Sequence, residues 1–141
     1  MDYEAHWQAI YDALRVGLDD DGLTTVPLAA IHSQDSQTAG EALEPPYAVY
    51  SQERETGLGT MGGGQNEVAS SGWRVTVRAR DLGDVLAMAT AITTKLGAED
   101  IADTSDGYET TAVELIGAQT LWEADSKLNS MLIRFNWERA K

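Results

Sequence analysis

Between Ser71 and Leu96 the chain changes its hydrophobic period once. Trp73, Val75 and Val77 alternate with Arg74, Thr76 and Arg78, the period of two expected of a strand with one dry and one wet face. From Leu82 the apolar positions Leu82, Val85, Leu86, Ala89, Ile92, Thr93 and Leu96 recur at helical spacing and predict one apolar stripe. Asp81 stands at the N-cap position with Asp84 three residues on, where carboxylates meet free amides and the positive end of the helix dipole, and Gly97 ends the helix. On this pattern an Asp at Val75 or at Leu86 is expected to bury an unpaired charge and unfold the chain.

The remaining segments arrange themselves around that strand and helix. Tyr3 to Leu18 reads as a first helix, with Trp7, Ile10, Tyr11, Leu14 and Leu18 on its apolar face and Asp2 and Glu4 at its start. Asp19, Asp20, Asp21 and Gly22 end it. Thr24 to Glu44 is irregular, with a short apolar piece at Val26 to Ile31 followed by a polar stretch rich in helix and strand breakers. Pro45 and Pro46 mark entry into a strand at Tyr47 to Tyr50. Glu53 to Ser71 is glycine-rich, nearly without apolar residues, and predicts a long mobile hairpin loop. Gly97 to Gly107 is an acidic loop. Thr110 to Trp122 reads as a strand disturbed near Gly117, and Leu128 to Glu138 as a last strand with Met131, Ile133, Phe135 and Trp137 on its dry side. Short connections favour antiparallel pairing. The expected fold is therefore α+β, one domain over residues 1–141, with a mainly antiparallel four-stranded sheet, two helices packed on one face, and long polar loops.

Composition narrows the function. The formal charge is −13, which opposes sequence-independent binding to DNA or anionic lipid, since phosphate recognition needs clustered Lys and Arg. There is no cysteine, hence no disulfide, no thiol nucleophile and no cysteine-liganded zinc. No apolar run approaches the roughly 20 residues of a membrane span, and the acidic, amphipathic start is not that of a secretory signal.

Candidate chemistry is sparse. Gly57 to Gly62 satisfies the spacing of a dinucleotide-binding loop, but the chain runs on toward the Trp73 strand instead of opening a helix. Asp19, Asp21 and Gly22 resemble a fragment of a calcium loop that lacks its closing acid. His6, placed on the exposed side of the first helix, and His32, in a loop, have no partner at metal-ligand spacing. Trp7, Trp73, Trp122 and Trp137 lie at or near apolar positions and are expected in the core. The expectation is a protein that is not an enzyme and carries no cofactor or metal.

The order of elements resembles the tail-completion or tail-terminator proteins of long-tailed bacterial and archaeal viruses. The residues that carry the likeness are Pro46 to Tyr50, Trp73 to Val77 followed by the Leu82 to Leu96 helix, and Leu132 to Phe135. The resemblance covers nearly the whole chain, and the stretch between the first two strands is longer and richer in glycine than is usual there. It implies a virion structural protein, assembled in the host cytoplasm, that forms a hexameric ring, caps the tail tube and joins it to the head connector. DNA would pass without specific binding through an acidic lumen, lined by a sheet edge or wet face, that repels its phosphates. Candidate assembly contacts are Gln34 and Gln37 in the linker and Arg54, Gly59, Met61, Gly63, Gln65 and Asn66 in the glycine-rich loop. Two other readings are a head–tail joining or head-completion protein of the neck, and a small-ligand-binding α+β module using the Gly57 to Gly64 loop.

Overall fold

The strand that begins this pattern lies at the centre of a five-stranded sheet, and the core of the described residues is built on it. The computed structural model describes residues 2–20, 31–33, 45–58, 68–98, 101–124 and 127–141. In chain order the elements are α1 (Tyr3–Asp20), β1 (Ile31–Ser33), β2 (Tyr47–Leu58), β3 (Val68–Ala79), α2 (Leu82–Gly97), β4 (Glu109–Glu123) and β5 (Leu128–Ala140). The sheet order is β1-β2-β3-β5-β4. The four long strands pair antiparallel, as expected of an α+β fold. The short β1, which the pattern did not predict, adds to β2 in parallel through Ile31 to Ser33.

The alternation in β3 and β5 is fully used. Trp73, Val75 and Val77 face the helices together with Ile133, Phe135 and Trp137, and all six are buried. Each such side chain contributes about 1.5–3 kcal/mol by leaving water. Against them lie Val85, Met88, Ala89, Ile92 and Leu96 of α2 and Ile10 and Leu14 of α1. Trp7 is half-buried and meets the Trp73 ring edge-on at 5.0 Å.

The helical stripes are rotated from their sequence-based positions. In α2 the buried arc includes Met88 and Ala91, whereas Leu82 and Leu86 are 48% and 43% exposed. The helix has two neighbours, the sheet and α1, so it buries a flank as well as a face. Asp81 occupies the N-cap position with extended backbone but makes no side-chain cap bond. In α1 the arc turns toward His6, Ala9 and Ala13, and His6, expected in solvent, is 2% exposed. Trp122, expected in the core, is 58% exposed at the far end of β4.

The polar loops also differ from expectation. Much of Glu53 to Ser71 is strand: β2 continues to Leu58 and β3 begins at Val68, with Glu55 opposite Ser71 and a register shift between Gln52 and Arg54. Hydrophobic periodicity missed this extension because polar groups satisfy one another there. Buried Arg139 pairs with Glu55, donates to Ser71 Oγ at 2.8 Å and stacks on Trp137, while Ser71 Oγ also accepts from Trp73 Nε1 at 2.6 Å. Burial works to lower the Arg139 pKa, and the Glu55 carboxylate opposes it. The disturbance near Gly117 is a register shift between Leu115 and Gly117.

A turn in the acidic segment closes the other end of the core. Thr104 N–H donates to Tyr108 O at 2.9 Å, Gly107 N–H donates to Thr104 O at 3.1 Å, and Gly107 sits at φ +94, a conformation open to glycine. The turn presents Asp106 to His6, whose Nε2 lies 2.9 and 3.1 Å from the two carboxylate oxygens. His6 also packs edge-on to Tyr108 and against Trp137. Partial burial works to raise the Asp106 carboxyl. Hydrogen bonds from the Thr104 hydroxyl, the Asp2 N–H and His6 overcome it and hold the group well below the usual carboxylate range.

Two measurements check this packing. Val75→Asp abolishes the cooperative unfolding transition, whereas Leu86→Asp, at a half-exposed position, leaves the monomer's melting curve within about 1 kcal/mol of wild type. Because the folded-state pKa of Asp106 is depressed, its contribution to stability is complete above the unfolded carboxylate value of about 4 and is lost as pH falls through the folded value. Asp106→Asn therefore costs about 1–3 kcal/mol at pH 7 in urea titrations. The loss narrows in acid.

Candidate assembly surfaces

Helices lie on one face of the sheet, and the alternate residues of each strand form the other, which carries no helix among the described residues. Val49 and Ser51 of β2, Arg74, Thr76 and Arg78 of β3, Ser130 and Leu132 of β5, and Leu121 and Glu123 of β4 line a shallow hollow of about 260 Å³ on it. Arg78 Nε lies 3.0 Å from Glu123 Oε1, and Arg134 Nε lies 3.1 Å from Glu53 Oε1, with Arg74 Nε at 4.0 Å from the same oxygen. Arg54 crosses Gly72 to donate to Asn136 Oδ1 at 3.0 Å, and a Cβ at position 72 would sit 3.3 Å from Arg54 Cγ. Four of the chain's ten Lys and Arg thus share one face. Glu53 and Glu123 flank them, and by alternation Glu114 and Glu138 fall on the same side toward the far end. Arg74 and Arg134 are 41% and 49% exposed, so their ion pairs contribute no more than about 1 kcal/mol each and leave the guanidinium groups open to another anion.

A second surface runs along β4, which is the outer strand beside β5 and has no strand on its other edge among the described residues. From Leu115 to Trp122 it has neither charge nor proline, and Leu115, Ile116, Leu121 and Trp122 are all exposed. An uncharged apolar edge of this length is a template for pairing with another chain unless something covers it. Leu82 and Leu86 of α2 extend the apolar character onto the helix layer. Thr90 and Thr93 beside them donate their hydroxyls to the carbonyls of Leu86 and Ala89 at 2.8 Å, inside their own helix.

The third surface is the end at which α1 starts. Asp2 caps the helix through the Ala5 N–H at 3.2 Å and donates its own N–H to Asp106 Oδ2 at 2.8 Å, so the start of α1 and the 104–108 turn are joined. Asp2, Glu4, Asp103 and Glu109 are exposed, with Lys141 near Tyr108, and Tyr3, between Asp2 and Glu4 in sequence, is 59% exposed.

Of the residues the sequence singled out for assembly, Arg54 is in β2 rather than in a loop. Gln34, Gln37, Gly59, Met61, Gly63, Gln65 and Asn66 lie outside the described residues. Gly57, the first glycine of the dinucleotide-like spacing, is a paired strand residue opposite Ala69. Among the described residues no group of three His, Asp or Glu could hold a metal, and no helix is long and apolar enough to cross a membrane. The open-face arginines were visible in the sequence only as the wet side of strands. Alternation of Arg74 and Arg78 was the available signal, while the contribution of Arg134 and Arg54 depends on strand pairing.

No protein-family model matches the chain, and no curated protein sequence matches it. In three dimensions it is similar to a chain in the structure of the virion of the native gene transfer agent (GTA) particle. The TM-score is 0.65 over 93% of this chain and 94% of that one, at 16% sequence identity. At that identity the likeness establishes a shared fold, extending over nearly the whole of both chains.

Proposed function

We propose that the chain is a structural protein of a phage-like virion, and within the virion a tail terminator. The observation that carries this reading is the fold shared over nearly its whole length with a chain of a gene transfer agent virion, together with an order of elements that resembles tail-terminator proteins. In this role the protein closes into a hexameric ring, stops growth of the tail tube and offers a face to the head connector. The uncharged β4 edge and the neighbouring α2 leucines are the surface that meets other virion proteins. The uncharged stretch of edge strand from Leu115 to Trp122, with exposed apolar groups on both sides, is costly to leave in water and is suited to pairing with a partner strand. In this reading the role is structural rather than enzymatic, in keeping with the shallowness of the hollow on the open face.

One part of the expected ring changes. The wet face of the sheet carries arginines, so an acidic lumen, if it is to repel DNA, draws its charge from other segments of a chain whose total is −13.

Light scattering at low and high salt, electron microscopy of large species, and binding to purified tail tube and to portal test the reading together. Six-membered rings that bind tube are expected. Binding to portal alone makes it a neck protein of the head side, and binding to neither removes the terminator role. Ile116→Lys, at a position 56% exposed, leaves the melting temperature unchanged and abolishes tube binding.

A further inference from the structure

The open face and the acidic end of the molecule differ in charge: on the first, four arginines offset four glutamates, whereas the second carries mainly exposed carboxylates. The open face holds a shallow hollow whose lining includes the apolar Val49, Leu121 and Leu132 and the arginines Arg74 and Arg78, with Arg134 nearby on the same face. The acidic end bears Tyr3, the most exposed large apolar side chain of the described residues, between Asp2 and Glu4 in sequence and on the helix start that is joined through Asp2 to the turn carrying Asp106. Neither surface is explained by the stability of the monomer. Tyr3 gains nothing from an exposed ring, and the arginine pairs are too solvated to hold the sheet together.

We infer that the arginine-lined hollow on the open sheet face is the docking site for a second copy of this chain, which inserts Tyr3 and sets its neighbouring carboxylates against the guanidinium groups. The ring reading supplies the context on which this self-contact rests. Charge narrows the occupant. Two copies of a chain at −13 repel over most of their surface, and this face, where arginines offset the glutamates and Arg74 and Arg134 are 41% and 49% exposed, offers solvated guanidinium groups to an acidic neighbour. A tyrosine entering an arginine-lined hollow gains apolar burial and cation–π contact at once, the combination typical of residues that dominate interfaces.

The two surfaces are different, so the contact is head-to-tail. Repetition of a head-to-tail contact gives a closed ring when the rotation per copy divides the circle, whereas a self-complementary contact stops at a pair. The contact takes Leu121 of β4 and leaves Leu115, Ile116 and Trp122 of that edge available to a different partner. Covering the open face removes its arginines from the lumen.

The absence of cysteine in the chain allows a direct test. Tyr3→Cys/Leu121→Cys, oxidised at high protein concentration, is expected to give a ladder of disulfide-linked oligomers. Either single variant alone stays monomeric on a non-reducing gel, and an equimolar mixture of the two singles gives linked dimers. Cross-linking of Tyr3→Cys alone as efficiently as the double variant, or no cross-linking of the double variant, overturns the inference. So does a wild-type chain that is monomeric at every concentration.

Charge reversal supplies the second arm. Arg74→Glu and Glu4→Arg, both at exposed positions, each lower the solution mass toward that of the monomer without moving the melting temperature. Mixing the two restores assembly. Wild-type association weakens as salt rises and charges are screened. Association indifferent to both substitutions overturns the inference, as does binding of double-stranded DNA that Arg74→Glu removes while no linked oligomer forms. Rings that bind tube but fail these tests leave the terminator reading standing; cross-linked oligomers that bind neither tube nor portal leave the self-contact and remove that reading.

Discussion

Two helices have to cover a sheet whose strands are longer than they are. At about 1.5 Å per residue, α2 with 16 residues spans about 24 Å, whereas the 15 residues of β4 extend over about 50 Å at about 3.3 Å each. A single helical layer therefore cannot shield every strand along its length, and the shortfall lands on an edge. The central strands β3 and β5 keep one side dry from end to end, with Ala69 to Ala79 and Ile133 to Arg139 buried at alternate positions. The far half of β4 is left with both sides wet. The same limit leaves the other face of the sheet without a helix among the described residues, so the surfaces offered for assembly follow from the extent of the helical layer.

Where the helical layer ends, polar groups close the core. At one place His6 and Asp106 join α1 to the turn before β4, and beside them Arg139 and Glu55 join the last strand to the extension of β2. The Arg139–Glu55 ion pair adds little to stability over an apolar replacement, but losing Glu55 takes the counterion from a buried guanidinium. The two pairs make these junctions specific: His6 accepts one carboxylate in one position, and the rings of Tyr108 and Trp137 fix how α1 lies against the sheet.

The distribution of charge then separates three kinds of surface on one small domain: an arginine-bearing sheet face, an acidic end with Tyr3, and an uncharged edge. In a chain of −13 such separation gives different partners different addresses. A domain that must contact both its own copies and unlike proteins needs that property, and the proposed position in a virion requires both.

The periodicity of Trp73 to Val77, of Leu82 to Leu96 and of Met131 to Trp137 was enough to define the strands, the second helix and an α+β fold, because each records the burial of one face by local geometry alone. The linear pattern did not carry strand order. The chain places β5 between β3 and β4, and only that pairing makes Leu115 to Trp122 an exposed edge and leaves Trp122 in solvent. It likewise could not say that Leu86 overhangs the packed arc, that His6 meets Asp106 a hundred residues away, or that Glu55 and Ser71 are strand residues satisfied by Arg139. A period reports that a side chain is covered, not by what. Contacts between residues distant in sequence arise only when the helices and sheet take their relative places, and those contacts decided which polar residues are buried and which apolar ones are left to meet another chain.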